Sequence, residues 1–414
     1  MKRIDESNKR VSTILAFALI PLSGFALDVY IPSLPDMASE LHKSPSAIQL
    51  TLSIYLISYG ICQLVIGGLL DSYGRYWPSV AGLFFFSLAS FVIARSESLH
   101  MIYLMRAIQG VMVATIIVSK RASFIDMYSG DKLKHYTSLF SIIWSSAPII
   151  APFIGGYLQT RFGWHSNFYF LGYFGLLFFI LELTFSGETL KAKSPFYLKN
   201  ITGIYWSMIK TKDFTLGMVI LALSYSMMLV YGMASPFLIE VLMHYPATVT
   251  GNASLTSGVA VLMGGLLAKY FITKPFFKKI LVAISVQVIA AIGLTLFTAQ
   301  FHNIYTLLAY VVILHTAIGF VFNTLFSYCL TRFTNNGGKA SGLAGGGYII
   351  FTSAFSYTVV SALAIKSQVW LGVGYSILSI AIFFIFVFTK WVTDPAVSAA
   401  KLSREEPIPL PMID

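Results

Sequence analysis

Long runs of apolar residues, separated by short polar stretches, dominate this chain. Each of the twelve runs holds about 20 residues or more, the length that an α-helix needs to cross roughly 30 Å of hydrocarbon. The pattern therefore predicts an all-α membrane protein with twelve transmembrane helices. The predicted spans are 11–32, 47–70, 77–95, 100–122, 135–158, 165–186, 213–238, 248–272, 276–300, 303–330, 338–364 and 369–392.

A short sequence near the end of the second span recurs near the end of the eighth. The run Gly67–Leu70 is repeated as Gly264–Leu267, at a separation of nearly half the chain. Such a repeat is typical of a duplicated membrane bundle, so we expect two pseudo-symmetric six-helix bundles. The predicted divisions are a first bundle at 1–186, a cytoplasmic linker at 187–212, a second bundle at 213–394 and a cytoplasmic tail at 395–414. The linker is expected to include an amphipathic helix, and a simple tether rich in basic residues is the alternative.

Composition and charge fit a membrane protein and predict its orientation. Hydrophobic residues make up 57% of the chain and charged residues only 11%, against about 25% charged residues in a typical soluble domain. With the N-terminus inside, 23 of the 28 Lys and Arg residues fall in inner segments, the side on which basic residues accumulate. We therefore expect a protein of the inner (cytoplasmic) membrane with both termini in the cytoplasm. The four outer basic residues are Lys43, Arg95, Arg161 and Lys366.

Other residue classes exclude several kinds of protein. The two cysteines lie inside apolar runs of different halves, so no disulfide framework is expected. The seven histidines show no metal-binding spacing. The basic residues follow the loops rather than one patch, so the net charge of +11 does not indicate a nucleic-acid partner.

Ionisable residues inside the predicted spans are the strongest functional signal, because a charge at membrane depth costs roughly 2.5 to 3.5 kcal/mol on insertion scales. Asp28 in the first span and Arg106 in the fourth both fall in the outer half, so the two charges are expected to approach each other. A carboxylate balanced between burial and a nearby Arg can couple proton movement to conformation. The alternative is a static ion pair that fixes helix packing.

Glu182, in the sixth span near its inner end, is a third candidate for proton coupling. A carboxylate that reaches out to the membrane surface is the simpler explanation for it. The second half has no acid or Arg embedded deep in a predicted span, and its polar interior candidates are Gln287, His315 and Asn323. We therefore expect the coupling chemistry in the first half.

The hairpin between the second and third spans is a candidate cytoplasmic gate. Gly74 allows a turn with positive φ, while Asp71 and Arg75 can cap helix ends or pair with opposite charges. Contacts of this kind hold one state when that side is closed, and Gly67 belongs to the same repeated motif. An ordinary turn with solvated charges is the alternative.

The fifth span contains residues that permit a helix kink and close packing. Pro148 and Pro152 remove two helix hydrogen bonds, and Gly155 and Gly156 follow directly in the same run. Small residues at a spacing of four allow another helix to approach closely. The alternative is simple small-residue packing.

Aromatic residues of both halves are candidates for lining a substrate cavity, although each one alone is also compatible with a core or lipid-facing position. The candidates, together with one polar residue, are Tyr30, Tyr55, Tyr59, Tyr225, Tyr231, Phe237 and Asn323.

These motifs together resemble the major facilitator superfamily, specifically its twelve-helix drug:proton antiporters. The pattern Gly67-x-Leu69-x-Asp71-x-x-Gly74-Arg75 is similar to the family's loop signature, with Tyr76 where a further basic residue is usual. In the fourth span, Arg106, Gln109 and Gly110 match a motif whose Arg is tied to proton coupling in the family.

Two more segments carry the resemblance. The fifth-span run ending at Gly155 and Gly156 is similar to the antiporter motif, with Ala147 and Ala151 where glycines are usual. The segment 27–35 is most similar to the bicyclomycin/chloramphenicol-resistance subfamily.

The resemblance implies a monomeric secondary transporter in which inward proton movement drives a small organic molecule, such as a drug, outward. A dedicated transporter of one metabolite, such as a siderophore, is the alternative, in either direction. The expected partners are the substrate, protons and the lipid bilayer, with no nucleic acid and no cofactor besides the proton gradient as energy source. A membrane enzyme is disfavoured because the sequence shows no convergent nucleophile, base or metal set. An ATP-driven pump is disfavoured because no G-x-x-x-x-G-K-[ST] motif occurs.

Overall fold

The computed structural model describes residues 3–4, 6–193, 195, 198–333 and 337–393. The regular structure of these residues is helical, apart from one isolated bridge between Arg3 and Glu188. The helices are α1 (Glu6–Leu19), α2 (Leu22–Asp28), α3 (Leu34–Glu40), α4 (Pro45–Tyr73), α5 (Tyr76–Ala94), α6 (Leu99–Met127), α7 (Gly130–Phe162), α8 (His165–Phe185), α9 (Leu198–Lys210), α10 (Lys212–Pro236), α11 (Ala247–Tyr270), α12 (Phe276–Phe297), α13 (Ile304–Thr331), α14 (Gly337–Leu363) and α15 (Gln368–Thr393), with a 3₁₀ turn at Ile31–Ser33 and a π-helical turn at Phe237–Leu242.

The all-helical membrane fold predicted from the apolar runs is confirmed. Within the described residues, eleven helices or joined helical runs are long and apolar enough to cross a membrane. The remaining predicted span, 135–158, lies inside α7, which has 33 residues but is not among those eleven. The other helices begin and end within a few residues of the predicted spans, except where they run further into the connections, as α6 does.

The first span is not the continuous helix that its apolar run predicts. It consists of α1, α2, the 3₁₀ turn and α3, and it reaches Glu40. Prolines explain the interruptions, because Pro21, Pro32 and Pro35 lack the N–H that a continuing helix needs. As a consequence α2 ends at Asp28, which places this carboxylate at a helix break.

Equivalent helix pairs in the two halves pack through glycine. A Cβ added to Gly110 of α6 would lie 2.4 Å from the carbonyl oxygen of Tyr55 in α4, and one added to Gly319 of α13 would lie 2.2 Å from that of Val261 in α11. Two backbones can approach this closely only where a side chain is absent. The same glycine-mediated contact in both halves supports an internal duplication. The domain boundaries at 186 and 213 remain predictions. The tail 395–414 lies outside the described residues.

The two halves meet where α7 packs on α11 and α4 packs on α14. We call the end of the molecule that holds Glu40 the Glu40 end, and the opposite end the Arg75 end. Towards the Glu40 end, a Cβ on Gly156 would lie 2.6 Å from the carbonyl oxygen of Ala247, so the two backbones touch. Gln49 Nε2 also donates a hydrogen bond of 2.8 Å to the carbonyl oxygen of Met233. These contacts join the halves at the Glu40 end.

Helix α9 of the linker contacts both halves towards the Arg75 end. The Tyr205 hydroxyl donates a hydrogen bond of 2.9 Å to the carbonyl oxygen of Leu64 in α4. Met208 is buried, while Trp206 on another face of the helix is 61% exposed. The linker is therefore packed against the bundle along one face.

We expect Gly155→Ala to destabilise the protein, because the new Cβ would lie 1.6 Å from the carbonyl oxygen of Val29. Overpacking of this kind costs about 1–3 kcal/mol, and the melting temperature in detergent should fall accordingly. The matched control is Gly67→Ala, where nothing lies within 4 Å of the added Cβ. Equal melting temperatures for the two variants would contradict the close α7 packing.

Candidate functional site

Arg106 is fully buried between the first span and helices α4 and α6. Its Nη1 donates to the carbonyl oxygen of Ala26 at 2.9 Å and to Gln109 Oε1 at 2.7 Å, and its Nε donates to the carbonyl oxygen of Thr51 at 3.3 Å. The Ala26 carbonyl is available because α2 ends two residues later, and carbonyls in the last turn lack helical partners. The helix break thus creates an acceptor for the guanidinium.

Two predicted cavity residues contact Arg106 through their rings. The guanidinium carbon Cζ lies 4.7 Å from the ring centre of Tyr30 and 4.4 Å from that of Tyr55. Each tyrosine is itself fixed, since the Tyr30 hydroxyl bonds Thr51 Oγ1 at 2.9 Å and the Tyr55 hydroxyl donates to the carbonyl oxygen of Ser23 at 2.9 Å. Cation–π contacts of this kind stabilise a desolvated guanidinium.

The span-4 motif residues hold the guanidinium in place. Gln109 accepts from Arg106 and donates through Nε2 to Ser90 Oγ at 2.8 Å, which ties α6 to α5. Gly110 allows α4 to lie against α6 at this level. The motif therefore positions Arg106, and Arg106 in turn connects three spans.

Asp28 is near Arg106, as the sequence predicts, but does not form the direct ion pair that was the alternative interpretation. Its side chain is 7% exposed, and Oδ2 has no hydrogen-bond partner within the described chain. No direct ion pair joins Asp28 to Arg106 in this part of the chain, and the Arg106 charge acts on the carboxylate through space. The carboxylate is therefore buried, near a cation, and free to bind something else.

Asp28 lines a cavity between the two halves. The first half contributes Asp28 and both prolines of the predicted α7 kink, and the second half contributes tyrosine and serine side chains. The volume open to water-sized molecules is about 30 Å³, which accommodates water but not an organic substrate. The lining residues are Leu27, Asp28, Ile31, Pro148, Pro152, Tyr225, Met228, Leu229, Tyr231, Gly232, Ser254 and Ser257.

The structure divides the predicted cavity residues into three groups. Tyr225 and Tyr231 line the cavity, whereas Tyr30 and Tyr55 contact Arg106. The other three predicted residues do not line it. Tyr59 stacks on Tyr55, Phe237 packs against the core in the π-helical turn, and the exposed Asn323 donates to the carbonyl oxygen of Gly319 at 2.8 Å.

At the Arg75 end, the hairpin arginine is buried in a network of acids. Arg75 Nη2 bonds Asp71 Oδ1 at 2.7 Å, Nε lies 3.0 Å from Asp126 Oδ2, and Nη1 donates to the carbonyl oxygen of Leu70 at 2.7 Å. Gly74 has a φ of 109°, as the predicted turn requires. All these partners belong to the first half, so the contacts fix that bundle, and a role as a gate between halves stays a prediction.

Glu188 completes this network and was not predicted as a site residue. Its buried carboxylate accepts from the backbone N–H groups of Arg75 at 3.0 Å and Tyr76 at 3.2 Å, which begin α5. It also accepts from Thr189 and Leu190 at 3.0 and 2.9 Å. A carboxylate at a helix N-terminus satisfies otherwise unpaired donors and favours the helix dipole. Its position directly after the sixth span, in the run Glu188-Thr189-Leu190, is the signal that the sequence offers.

The simpler explanation from the sequence was that the Glu182 carboxylate reaches the membrane surface. The structure instead buries this carboxylate inside the bundle. It is 0% exposed and forms an ion pair of 2.6 Å with Lys120, which is 4% exposed. The sequence analysis counted Lys120, near the inner end of the fourth span, among the inner basic residues, but α6 continues to Met127 and carries it inside the bundle. Glu182 Oε1 has no partner within the described residues. A part in proton coupling stays a prediction for Glu182, because a static pair explains the same geometry.

The second half holds one acid that the sequence placed outside the spans. Glu240 lies in the continuous helical run Lys212–Leu242, where it accepts from Thr250 Oγ1 at 2.6 Å. The predicted span ended at 238, two residues before Glu240, and the expectation of a second half without an embedded acid stays a prediction. His315 is fully buried, with Nδ1 2.7 Å from Ser257 Oγ and Nε2 3.0 Å from the Tyr375 hydroxyl.

Comparison with known proteins agrees with this architecture. Residues 16–350 match the family model of the Major Facilitator Superfamily. The chain belongs to this superfamily. Multidrug resistance protein MdtL of Shewanella oneidensis is 27% identical over 360 residues, 86% of this chain and 89% of the relative. The bicyclomycin resistance protein homolog of Haemophilus influenzae is 27% identical over 281 residues, 66% of this chain and 70% of the relative.

A solved structure shows the same fold. The nucleoside transporter NupG aligns with a TM-score of 0.69 and covers 92% of this chain and 99% of its own, at 14% identity. Membership of the superfamily makes the protein a multi-pass membrane protein and a secondary transporter of a small-molecule substrate, not an enzyme.

We expect Lys120→Met to destabilise the protein strongly, since it leaves the Glu182 carboxylate buried and unpaired. Removing one partner of a buried ion pair costs about 3–5 kcal/mol. The double variant Lys120→Met with Glu182→Leu should recover most of the melting temperature in detergent. A double variant no more stable than Lys120→Met would contradict a direct Lys120–Glu182 pair.

Proposed function

We propose that this transporter is a proton-coupled antiporter that exports small organic molecules such as drugs by alternating access. The observation that carries the proposal is Asp28, a buried carboxylate with an unpartnered oxygen in the cavity between the halves. The relatives named for multidrug and bicyclomycin resistance support drug export. The same relatives support our proposal that the chain is most similar to the bicyclomycin/chloramphenicol-resistance subfamily.

In the proposed mechanism, Asp28 carries the proton. When the cavity is closed, a charged carboxylate without a partner is costly, so closure favours the neutral carboxyl. When the cavity opens and fills with water or substrate, the carboxylate can release its proton. Exchange of proton and substrate at the same cavity then gives antiport.

Arg106 influences the ionisation of Asp28 without itself lining the cavity. Its guanidinium is held by carbonyls, Gln109 and two aromatic rings, and it acts on Asp28 only through space. A fixed positive charge nearby limits the cost of ionising Asp28. We propose that this balance allows Asp28 both to bind and to release a proton within one transport cycle.

The cavity lining favours neutral or cationic substrates. Arg106 does not line the cavity, and Asp28 is the one charged residue among the described residues that do. Aromatic side chains and a carboxylate suit flat or cationic organic molecules. A siderophore-type anion is correspondingly disfavoured.

The distribution of basic residues supports one orientation of the protein in the membrane. The outer basic residues Lys43, Arg95, Arg161 and Lys366 lie near helix ends at the Glu40 end. We propose that the protein lies in the inner membrane, with the Glu40 end facing outward and the Arg75 end facing the cytoplasm. The contacts joining the halves at the Glu40 end then describe a state closed to the outside, and Asp71 and Arg75 border the cytoplasmic gate. A monomer suffices for this cycle.

The decisive experiment measures proton release from purified protein in detergent when substrate is added. The test compounds are cationic drugs, neutral antibiotics and hydroxycarboxylate siderophores. We expect release with several unrelated drugs from the wild type, and at least a tenfold smaller release from Asp28→Asn, because the exchangeable proton is missing.

The control is Glu40→Gln, which removes an exposed carboxylate that bonds Trp164 Nε1 outside the cavity. This variant should release protons like the wild type. Release with siderophores alone would favour the dedicated transporter, and substrate binding without proton release would contradict antiport.

A further inference from the structure

A chain of three buried polar side chains runs from the cavity wall into the second half. His315 of α13 bonds Ser257 of α11 through Nδ1 at 2.7 Å and Tyr375 of α15 through Nε2 at 3.0 Å. His315 and Tyr375 are 0% exposed and Ser257 is 3% exposed. Only Ser257 borders the cavity, opposite the half that carries Asp28.

The His315 ring is neutral in this position. It is fully buried, and no acidic side chain within the described chain forms an ion pair with it. Tyr231 packs edge-on against it, with ring centres 5.2 Å apart, which adds an apolar surface on one side. An unpaired imidazolium in such a place would be costly.

A neutral imidazole has one N–H donor and one acceptor nitrogen, so the chain has two arrangements. In the first, the Nδ1–H donates to Ser257 and the Tyr375 hydroxyl donates to Nε2. The Ser257 hydroxyl proton is then free to donate into the cavity. In the second, Ser257 donates to Nδ1 and the Nε2–H donates to Tyr375, which leaves the Ser257 oxygen as an acceptor for the cavity.

We propose that Ser257 is a substrate subsite whose hydrogen-bonding polarity is set by the tautomer of His315. The same heavy atoms then serve a substrate carbonyl, which needs a donor, and a substrate amine or hydroxyl, which needs an acceptor. His315 is a positioning residue that acts through Ser257. The inference rests on the cavity being the substrate site, as proposed above.

This arrangement accounts for a buried polar chain that ends at the cavity. A chain that only held helices together would have no need to end at the cavity. A subsite that accepts either polarity suits a transporter of chemically varied molecules, because a fixed donor or acceptor would leave one class of substrate with an unpaired buried group.

The test uses a matched series of organic cations, namely tetraphenylphosphonium, its analogue with an acetyl group on one ring and its analogue with an amino group on one ring. We expect the wild type to bind both analogues more tightly than the parent, by about 2- to 10-fold, the worth of one net hydrogen bond. Ser257→Ala should remove this advantage for both, and Ser257→Thr, which keeps the hydroxyl, should retain it. Equal losses for all three cations in Ser257→Ala would show a purely structural role and overturn the proposal.

The tautomer itself is measurable by ¹⁵N NMR of histidine-labelled protein in lipid, with His315→Gln identifying the signal among the seven histidines. The acetyl analogue should favour the Nδ1–H form and the amino analogue the Nε2–H form. In the ligand-free protein we expect both neutral forms. One fixed tautomer or an imidazolium there would overturn the proposal, whether or not any cation binds.

A third variant separates this inference from the proposed function. Asp28→Asn should weaken all three cations equally and leave the Ser257-dependent differences between them unchanged. Unaltered binding of the parent cation to Asp28→Asn would count against Asp28 as a substrate contact, while the comparison within the series would still decide the role of Ser257.

Discussion

The burial of the Arg106 guanidinium is the constraint on which the first half depends. A cation at membrane depth is costly unless it has partners, and the partners of Nη1, Nε and the guanidinium face come from three separate spans, while Nη2 has no hydrogen-bond partner within the described residues. The break after α2 supplies the Ala26 carbonyl, α4 supplies Thr51 and the ring of Tyr55, and Gln109 on α6 orients the group. The interruption of the first span, the glycine contact between α4 and α6, and the position of Asp28 are therefore parts of one arrangement.

The same arrangement leaves the carboxylate of Asp28 unpaired and turned to the cavity. A direct ion pair would bind the carboxylate permanently to Arg106 and keep it charged. Because the Asp28 carboxylate is not hydrogen-bonded to Arg106, the Arg106 charge still acts on it through space. Its Oδ2 oxygen is left to bind a proton or a substrate. The cavity has the two proline residues of α7 on one side and the polar wall of α10 and α11 on the other, so a movement between halves changes the surroundings of Asp28 directly.

Much of the fold was predictable, because lipid requires helices of a minimum length and apolar composition. Asp28 and Arg106 were found for the same reason, since charges in apolar runs are conspicuous. The break at Pro21 was hidden by the continuous apolar run around it. Lys120 was counted among the inner basic residues because a basic residue near a span end ordinarily meets water, and its partner lies 62 residues away. The chain from Ser257 to His315 and Tyr375 depends on how three helices are rotated, which apolar runs of this kind do not encode.

Transport driven by an imposed pH gradient tests the role of Asp28 most directly. Proteoliposomes holding the wild type or Asp28→Asn would be given a pH gradient at clamped membrane potential, and uptake of the cationic dye ethidium would be followed. Antiport through Asp28 predicts accumulation only in vesicles with an acidic lumen, and none with Asp28→Asn. Accumulation that ignores the direction of the gradient, or that persists in Asp28→Asn, would contradict it.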